Sequence, residues 1–187
     1  MLNIVTHTKH SGVIVAAHEP IEITSIGRDA LIDLLARHGY LVLRDFDTNI
    51  DAFSHLVRQT SSRLSIDPAR SFNGDTAQKV DAGTGPVGLH CENGNSPFWP
   101  ELCWFYCERE PALGSQTTIC DGYLVYDDLS PEARTAFVEQ DIVYSRRVQE
   151  NLWKTYALHA LADLENGPKL NPPEFCGGLY SFLMLLL

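Results

Sequence analysis

Hydrophobic residues recur three and four positions apart in two stretches of the first third of the chain. The first stretch, Ile26 to His38, predicts an amphipathic helix, and Gly39 suits the left-handed position that ends helices. The second predicts a helix from about Ile50 to Leu64, with Asp47 or Asn49 as its cap. The inner side of this second helix is expected to consist of Phe53, Leu56, Val57 and Leu64.

Short runs of apolar and β-branched residues predict strands elsewhere. The first is Tyr40 to Arg44, directly after the first helix. A turn containing Pro111 and Gly114 separates two further predicted strands. These two strands are Leu102 to Arg109 and Ser115 to Cys120, and a later one is Ile142 to Val148.

Two other segments complete the predicted order of elements. The stretch from Asp67 to Gly88 is rich in Gly, Asp, Ser and Pro, and it predicts a long loop of the kind that often covers active sites. Ser130, followed by Pro131 at the first helical position, predicts a capped helix that runs to about Glu139. Helices placed before a run of strands favour a β-rich core with helices packed on one side.

Length, charge and cysteine usage narrow the class of protein. A chain of 187 residues fits a single domain, and its net charge of −10 disfavours nucleic acid and anionic membrane surfaces as partners. The N-terminus shows no secretory signal, and no apolar stretch approaches the length of a membrane span. The five cysteines form no Cys-x-x-Cys pair, which favours free thiols in a cytoplasmic protein.

The candidate chemistry lies in the segment Gly88-Leu89-His90-Cys91-Glu92-Asn93. On an extended strand, side chains two residues apart leave the backbone on the same face, so His90 and Glu92 can point at one position. One histidine and one carboxylate are two of the three ligands in the iron site of non-haem Fe(II) oxygenases. A zinc site is disfavoured, since structural zinc sites use closely spaced ligand pairs in both halves. The residues that would form such a zinc site are His90, Cys91, Cys103 and Cys107.

Four features, in this order along the chain, resemble the Fe(II)/2-oxoglutarate dioxygenases of the taurine dioxygenase and clavaminate synthase-like type. They are the segment His38 to Phe46, the motif Leu89 to Glu92, the strand pair from Leu102 to Thr117 and the helix start Leu129 to Ala133. The resemblance covers roughly Ile26 to Val148. It implies a double-stranded β-helix, or jelly roll, supported by helices.

The resemblance also implies a chemistry and a set of site residues. His90 and Glu92 would bind Fe(II), and Thr117 would contact the co-substrate 2-oxoglutarate. The carboxylate at Glu92 favours hydroxylation or desaturation over halogenation, because related halogenases carry a small residue there. The glutamate form recurs among enzymes that resemble free-amino-acid oxygenases, so we expect a small, amino-acid-like substrate.

The C-terminal part departs from the family pattern. His159 is the only histidine after His90, and it lies in a helix-like segment rather than a late core strand. No matching arginine strand follows, and the chain ends in the apolar run Leu183-Met184-Leu185-Leu186-Leu187. We therefore expect a C-terminally truncated dioxygenase with an incomplete jelly roll. The alternative is a non-catalytic dioxygenase-like subunit that binds a partner, either as a homo-oligomer or with a completing second chain.

The expected domain organisation follows from the same match. One dioxygenase-like domain would span residues 1–187. Residues 1–66 would hold the N-terminal helices and the first core strand, 67–148 the half of the jelly roll with the metal motif, and 149–187 a divergent tail.

Overall fold

The structure is a computed structural model, and it describes residues 2–64, 72–73, 76–80, 85–92, 94, 100–114, 116–141 and 185–186; of 72–73 and 185–186 it describes the backbone alone. The chain divides into two compact units. The first comprises residues 1–91, 100–121 and 181–187, and the second comprises residues 92–99 and 122–180.

A four-stranded sheet forms the centre of the first unit. The strands are β1 (Leu2–Thr6), β2 (Val13–Ala17), β3 (Leu41–Arg44) and β6 (Leu185–Leu186), in the order β1-β2-β3-β6. β1 and β2 are antiparallel, whereas β2 pairs with β3, and β3 with β6, in parallel. A separate two-stranded pair consists of β4 (Phe72–Asn73) and β5 (Ala77–Gln78), within the region predicted to be a loop.

The two N-terminal helices confirm the sequence prediction closely. Helix α1 (Arg28–His38) ends at Gly39, which has a φ of 79° and donates its N–H to the Leu35 carbonyl at 2.8 Å. Helix α2 (Ile50–Thr60) is capped by Asn49, whose side-chain oxygen accepts from the Ala52 N–H at 2.9 Å. The helix stops short of Leu64, which is 36% exposed, so the prediction that Leu64 lies on its inner side is wrong.

The core forms where the sheet meets these helices. β2 buries alternate residues, while Leu41, Val42 and Leu43 of β3 are all buried, as expected for a central strand. The apolar faces of both helices and the 3₁₀ turn Ile23–Ser25 complete the cluster. Its members are Val13, Val15, Ala17, Ile23, Ile26, Leu31, Leu35, Leu41, Leu43, Phe46, Phe53, Leu56 and Val57.

The predicted strand from Leu102 to Arg109 is not a strand in the structure. Its alternating apolar residues Leu102, Trp104 and Tyr106 nevertheless pack against the core, and the Tyr106 ring stacks on Phe53 with centroids 5.2 Å apart. The described part of the predicted strand Ser115 to Cys120 is also outside any strand. Alternation predicts which face is buried, but a strand also needs a neighbour for its backbone, and no described segment pairs with these residues.

The second unit contains two described helices, α3 (Gly122–Asp127) and α4 (Pro131–Glu139). The predicted cap of α4 is confirmed, because the Ser130 hydroxyl accepts from the Ala133 N–H at 3.2 Å. Arg134 links the helices: it donates to the Tyr126 and Asp127 carbonyls at 3.1 and 2.8 Å, and its guanidinium lies 4.7 Å from the Tyr126 ring centroid. The predicted strand Ile142 to Val148 lies outside the described residues.

The prediction of fold class is therefore confirmed at its coarser level, as a small sheet with packed helices. The strands within the described ranges do not by themselves form a double-stranded β-helix. None of the described helices is long and apolar enough to cross a membrane.

Candidate metal-binding segment

His90 lies in an exposed segment that belongs to no regular element. Residues 85–91 are exposed and form neither helix nor strand, so the predicted strand around the His-x-Glu motif is not formed in the structure. The apolar side chains of this segment are exposed as well, Val87 at 59% and Leu89 at 67%. A strand of a closed core would bury such residues, and this segment does not bury them.

The His90 imidazole has the hydrogen bond that a metal-binding histidine commonly makes. Its Nδ1 lies 2.8 Å from the Gly88 carbonyl oxygen. A carbonyl can only accept, so Nδ1 carries the proton, and in the neutral ring the lone pair is then on Nε2. Backbone carbonyls often fix metal-ligating histidines in this tautomer, so the ring chemistry fits a role as a ligand through Nε2.

Glu92 is half-buried and lies in a turn. Its carboxylate is a hard oxygen donor of the type found in non-haem iron sites. His90 belongs to the first compact unit and Glu92 to the second, so their convergence on one ion stays a prediction.

Cys91, the cysteine inside the motif, is a poor candidate for a metal ligand. Cys91 is exposed overall, but partial desolvation of its thiol raises the pKa, which favours the neutral form over the thiolate that binds metal. Among the described residues, Cys103, Cys107 and Cys120 form no disulfide.

Thr117, the predicted contact for 2-oxoglutarate, belongs to the first unit. It is exposed and lies outside any helix or strand. Its predicted role is neither supported nor contradicted by this position, and it stays a prediction.

The described part of the chain does not complete an iron site. Within it, no three His, Cys, Asp or Glu side chains are grouped so that they could hold a metal ion. His159 and the C-terminal segment before Leu185 lie outside the described residues. The donor types of His90 and Glu92 fit Fe(II), but these two donors are one short of the three-ligand set that non-haem iron sites use.

Comparison with known protein families defines the class. The family model described as taurine catabolism dioxygenase TauD, TfdA family, matches residues 7–174. The match covers most of the chain and includes His90, Glu92 and Thr117, and the chain therefore belongs to the TauD, TfdA family. Searches of curated proteins and of solved structures find no match.

The family confirms the resemblance seen in the sequence. Its members are 2-oxoglutarate-dependent dioxygenases that use Fe(II) as cofactor and 2-oxoglutarate as co-substrate, and they act on small molecules.

Proposed function

We propose that this chain is a non-haem Fe(II)- and 2-oxoglutarate-dependent oxygenase that hydroxylates a small, amino-acid-like substrate. The observation that carries the proposal is the family match over residues 7–174, which contains the His-x-Glu motif in the expected order. The hydrogen bond from His90 Nδ1 to the Gly88 carbonyl supports it, since this bond puts the lone pair of the neutral ring on Nε2.

Specific roles follow for three residues. His90 and Glu92 would supply two ligands to Fe(II), and the third would come from outside the described residues. The Thr117 hydroxyl would donate a hydrogen bond to a carboxylate of 2-oxoglutarate. Bound Fe(II) would supply the activation of O₂ that couples decarboxylation of 2-oxoglutarate to oxidation of a substrate C–H bond.

We extend the proposal to the fold and location. The jelly roll would be built from one domain over residues 1–187, with the metal motif in the portion 67–148. A cytoplasmic location is supported by the described cysteines, which form no disulfide and so fit a reducing compartment. The net charge of −10 favours small substrates over polyanions, because it repels nucleic acid and anionic lipid.

The test is formation of succinate from 2-oxoglutarate by the purified full chain with Fe(II), ascorbate and O₂. The assay does not require the substrate to be known, because uncoupled turnover of 2-oxoglutarate is measured without a substrate. We expect succinate release that is lost in His90→Ala and in Glu92→Ala. His10→Ala is the matched control, since His10 is an exposed histidine in the loop between β1 and β2, and it should retain the activity.

A second candidate is a non-catalytic dioxygenase-like subunit. It is favoured by the exposure of residues 85–91, which contain His90 but lie outside the sheet. Absence of succinate from the chain alone, with activity restored by a second polypeptide, would support this candidate and reject an enzyme that acts alone.

A further inference from the structure

Strand β1 is an edge strand with an unusual composition for that position. It is the first strand in the sheet order, and all five of its residues, Leu2 to Thr6, are exposed. The strand has no charged residue, proline or glycine. Folded proteins usually protect such edges with charges, proline or a bulge, because an uncovered edge pairs with another strand.

The register with β2 determines which backbone groups of β1 face outward. The His7 N–H donates to the Gly12 carbonyl at 2.9 Å, and the pairing continues through Val5 with Ile14 and Asn3 with Ala16. In an antiparallel ladder, hydrogen-bonded pairs alternate with pairs that are not bonded. The N–H and C=O groups of Leu2, Ile4 and Thr6 therefore point away from β2.

The side chains of these residues extend the core face of the sheet. Ile4 lies opposite the buried Val15, and Leu2 lies opposite the buried Ala17. Yet Ile4 is 48% exposed and Leu2 is 41% exposed. The apolar face of the sheet thus continues from β2 onto β1 without cover from the described part of the chain.

We propose that β1 pairs with β1 of a second copy of this chain, in an antiparallel arrangement with its two-fold axis at Ile4. In that register Ile4 lies opposite Ile4 of the second copy, and Leu2 lies opposite Thr6. The outward-facing residues are symmetric about Ile4, so each of their N–H and C=O groups meets its complement. The sheets of the two copies then become one continuous sheet. This proposal does not rest on the proposed catalytic function.

The hairpin is a region where the charge of the chain opposes a second copy least. The chain carries a net charge of −10, so two copies repel each other across most of their surface. Residues 2–17, which form the β1-β2 hairpin, include Lys9 but no Asp or Glu. Two hairpins can therefore approach without opposing carboxylates. One strand edge buries less than the roughly 1,200 Å² of a standard interface, so the dimer is expected to be weak and concentration-dependent.

The test is sedimentation of the full chain over a series from low micromolar to near-millimolar concentration. The wild-type chain should dimerise within this range. Ile4→Lys places two ammonium groups opposite each other and should weaken the dimer by at least about tenfold. Val5→Lys is the matched control: Val5 is 44% exposed, but in the two-fold register it lies opposite Asn3, so dimerisation should persist.

Backbone amide exchange of the wild-type chain provides a second readout, which does not require any variant to fold. The amides of Ile4 and Thr6 should become protected as concentration rises, while those of Asn3 and Val5 should be protected throughout by β2. A chain that stays monomeric over the whole series overturns the proposal. So does a dimer that Ile4→Lys leaves intact, or one that forms without protection of the Ile4 amide.

Discussion

Replacement of Gly12 by alanine should be among the most damaging single-methyl changes in this protein. Gly12 has a φ of 79°, in the left-handed region that alanine avoids. A Cβ added there would overlap the ring carbons of Tyr40, which is buried at 6% exposure. The same ring is fixed by a 2.9 Å hydrogen bond between its hydroxyl and His7 Nδ1, so it cannot move aside without breaking a contact.

The magnitude follows from two separate costs. The left-handed conformation costs alanine about 1–2 kcal/mol, and forcing a packed side chain to shift costs about 1–3 kcal/mol more. Gly12→Ala should therefore lower the free energy of unfolding by about 2–5 kcal/mol. Gly39→Ala is the matched control: Gly39 has the same φ of 79°, but an added Cβ would meet nothing within 4 Å.

Urea denaturation followed by circular dichroism measures both variants. The entropy that alanine removes from the unfolded chain is similar at both positions, so it largely cancels in the comparison. Gly12→Ala should be less stable than Gly39→Ala by about 1–3 kcal/mol, which isolates the clash with Tyr40. If both variants lose the same free energy of unfolding, the argument from packing is refuted, and backbone strain alone accounts for the loss.

The remaining predictions concern the core and the helix ends. Leu56 is fully buried, so Leu56→Ala should lower the free energy of unfolding, measured by urea denaturation, by about 2–5 kcal/mol. Leu113 is 94% exposed, so Leu113→Ala should leave this free energy almost unchanged. Asn49→Ala removes the cap of α2 and should cost about 0.5–2 kcal/mol by the same assay; no loss would show that the cap bond is unimportant. The pKa of the Glu132 carboxyl is lowered by its own backbone N–H and by the Ser130 hydroxyl. The ionised Glu132 carboxylate therefore stabilises the fold at pH values above the ordinary carboxyl pKa. This stabilisation is lost as the pH falls through the lowered pKa of Glu132. In an NMR titration, Ser130→Ala should raise the pKa of Glu132 toward the ordinary range, and an unchanged pKa would contradict this account.

Elements defined by local sequence were predictable. Gly39, Asn49 and Ser130 mark helix ends through interactions with residues at most four positions away, and all three act as expected. The β1-β2 hairpin was missed, although the run Val13-Ile14-Val15 after Gly12 is a usable strand signal.

Features that depend on distant residues were harder to predict. Leu102, Trp104 and Tyr106 pack against the core, but the predicted strand is not formed, because pairing into a sheet depends on a neighbouring strand that local sequence does not reveal. The exposure of His90 could not be predicted either, because the motif specifies the types of metal-binding side chain and not the surroundings of the segment. For the same reason the sequence did not identify a third ligand, and the described residues contain no three-donor group.

The most direct test of the central claim is anaerobic addition of Fe(II) and 2-oxoglutarate to the purified chain, followed by visible absorption. If His90 and Glu92 hold the iron, a weak charge-transfer band should appear, should vanish in His90→Ala and Glu92→Ala, and should remain in His10→Ala. A chain that gives no band, or a band that His90→Ala leaves unchanged, would contradict the assignment of this segment as the metal site.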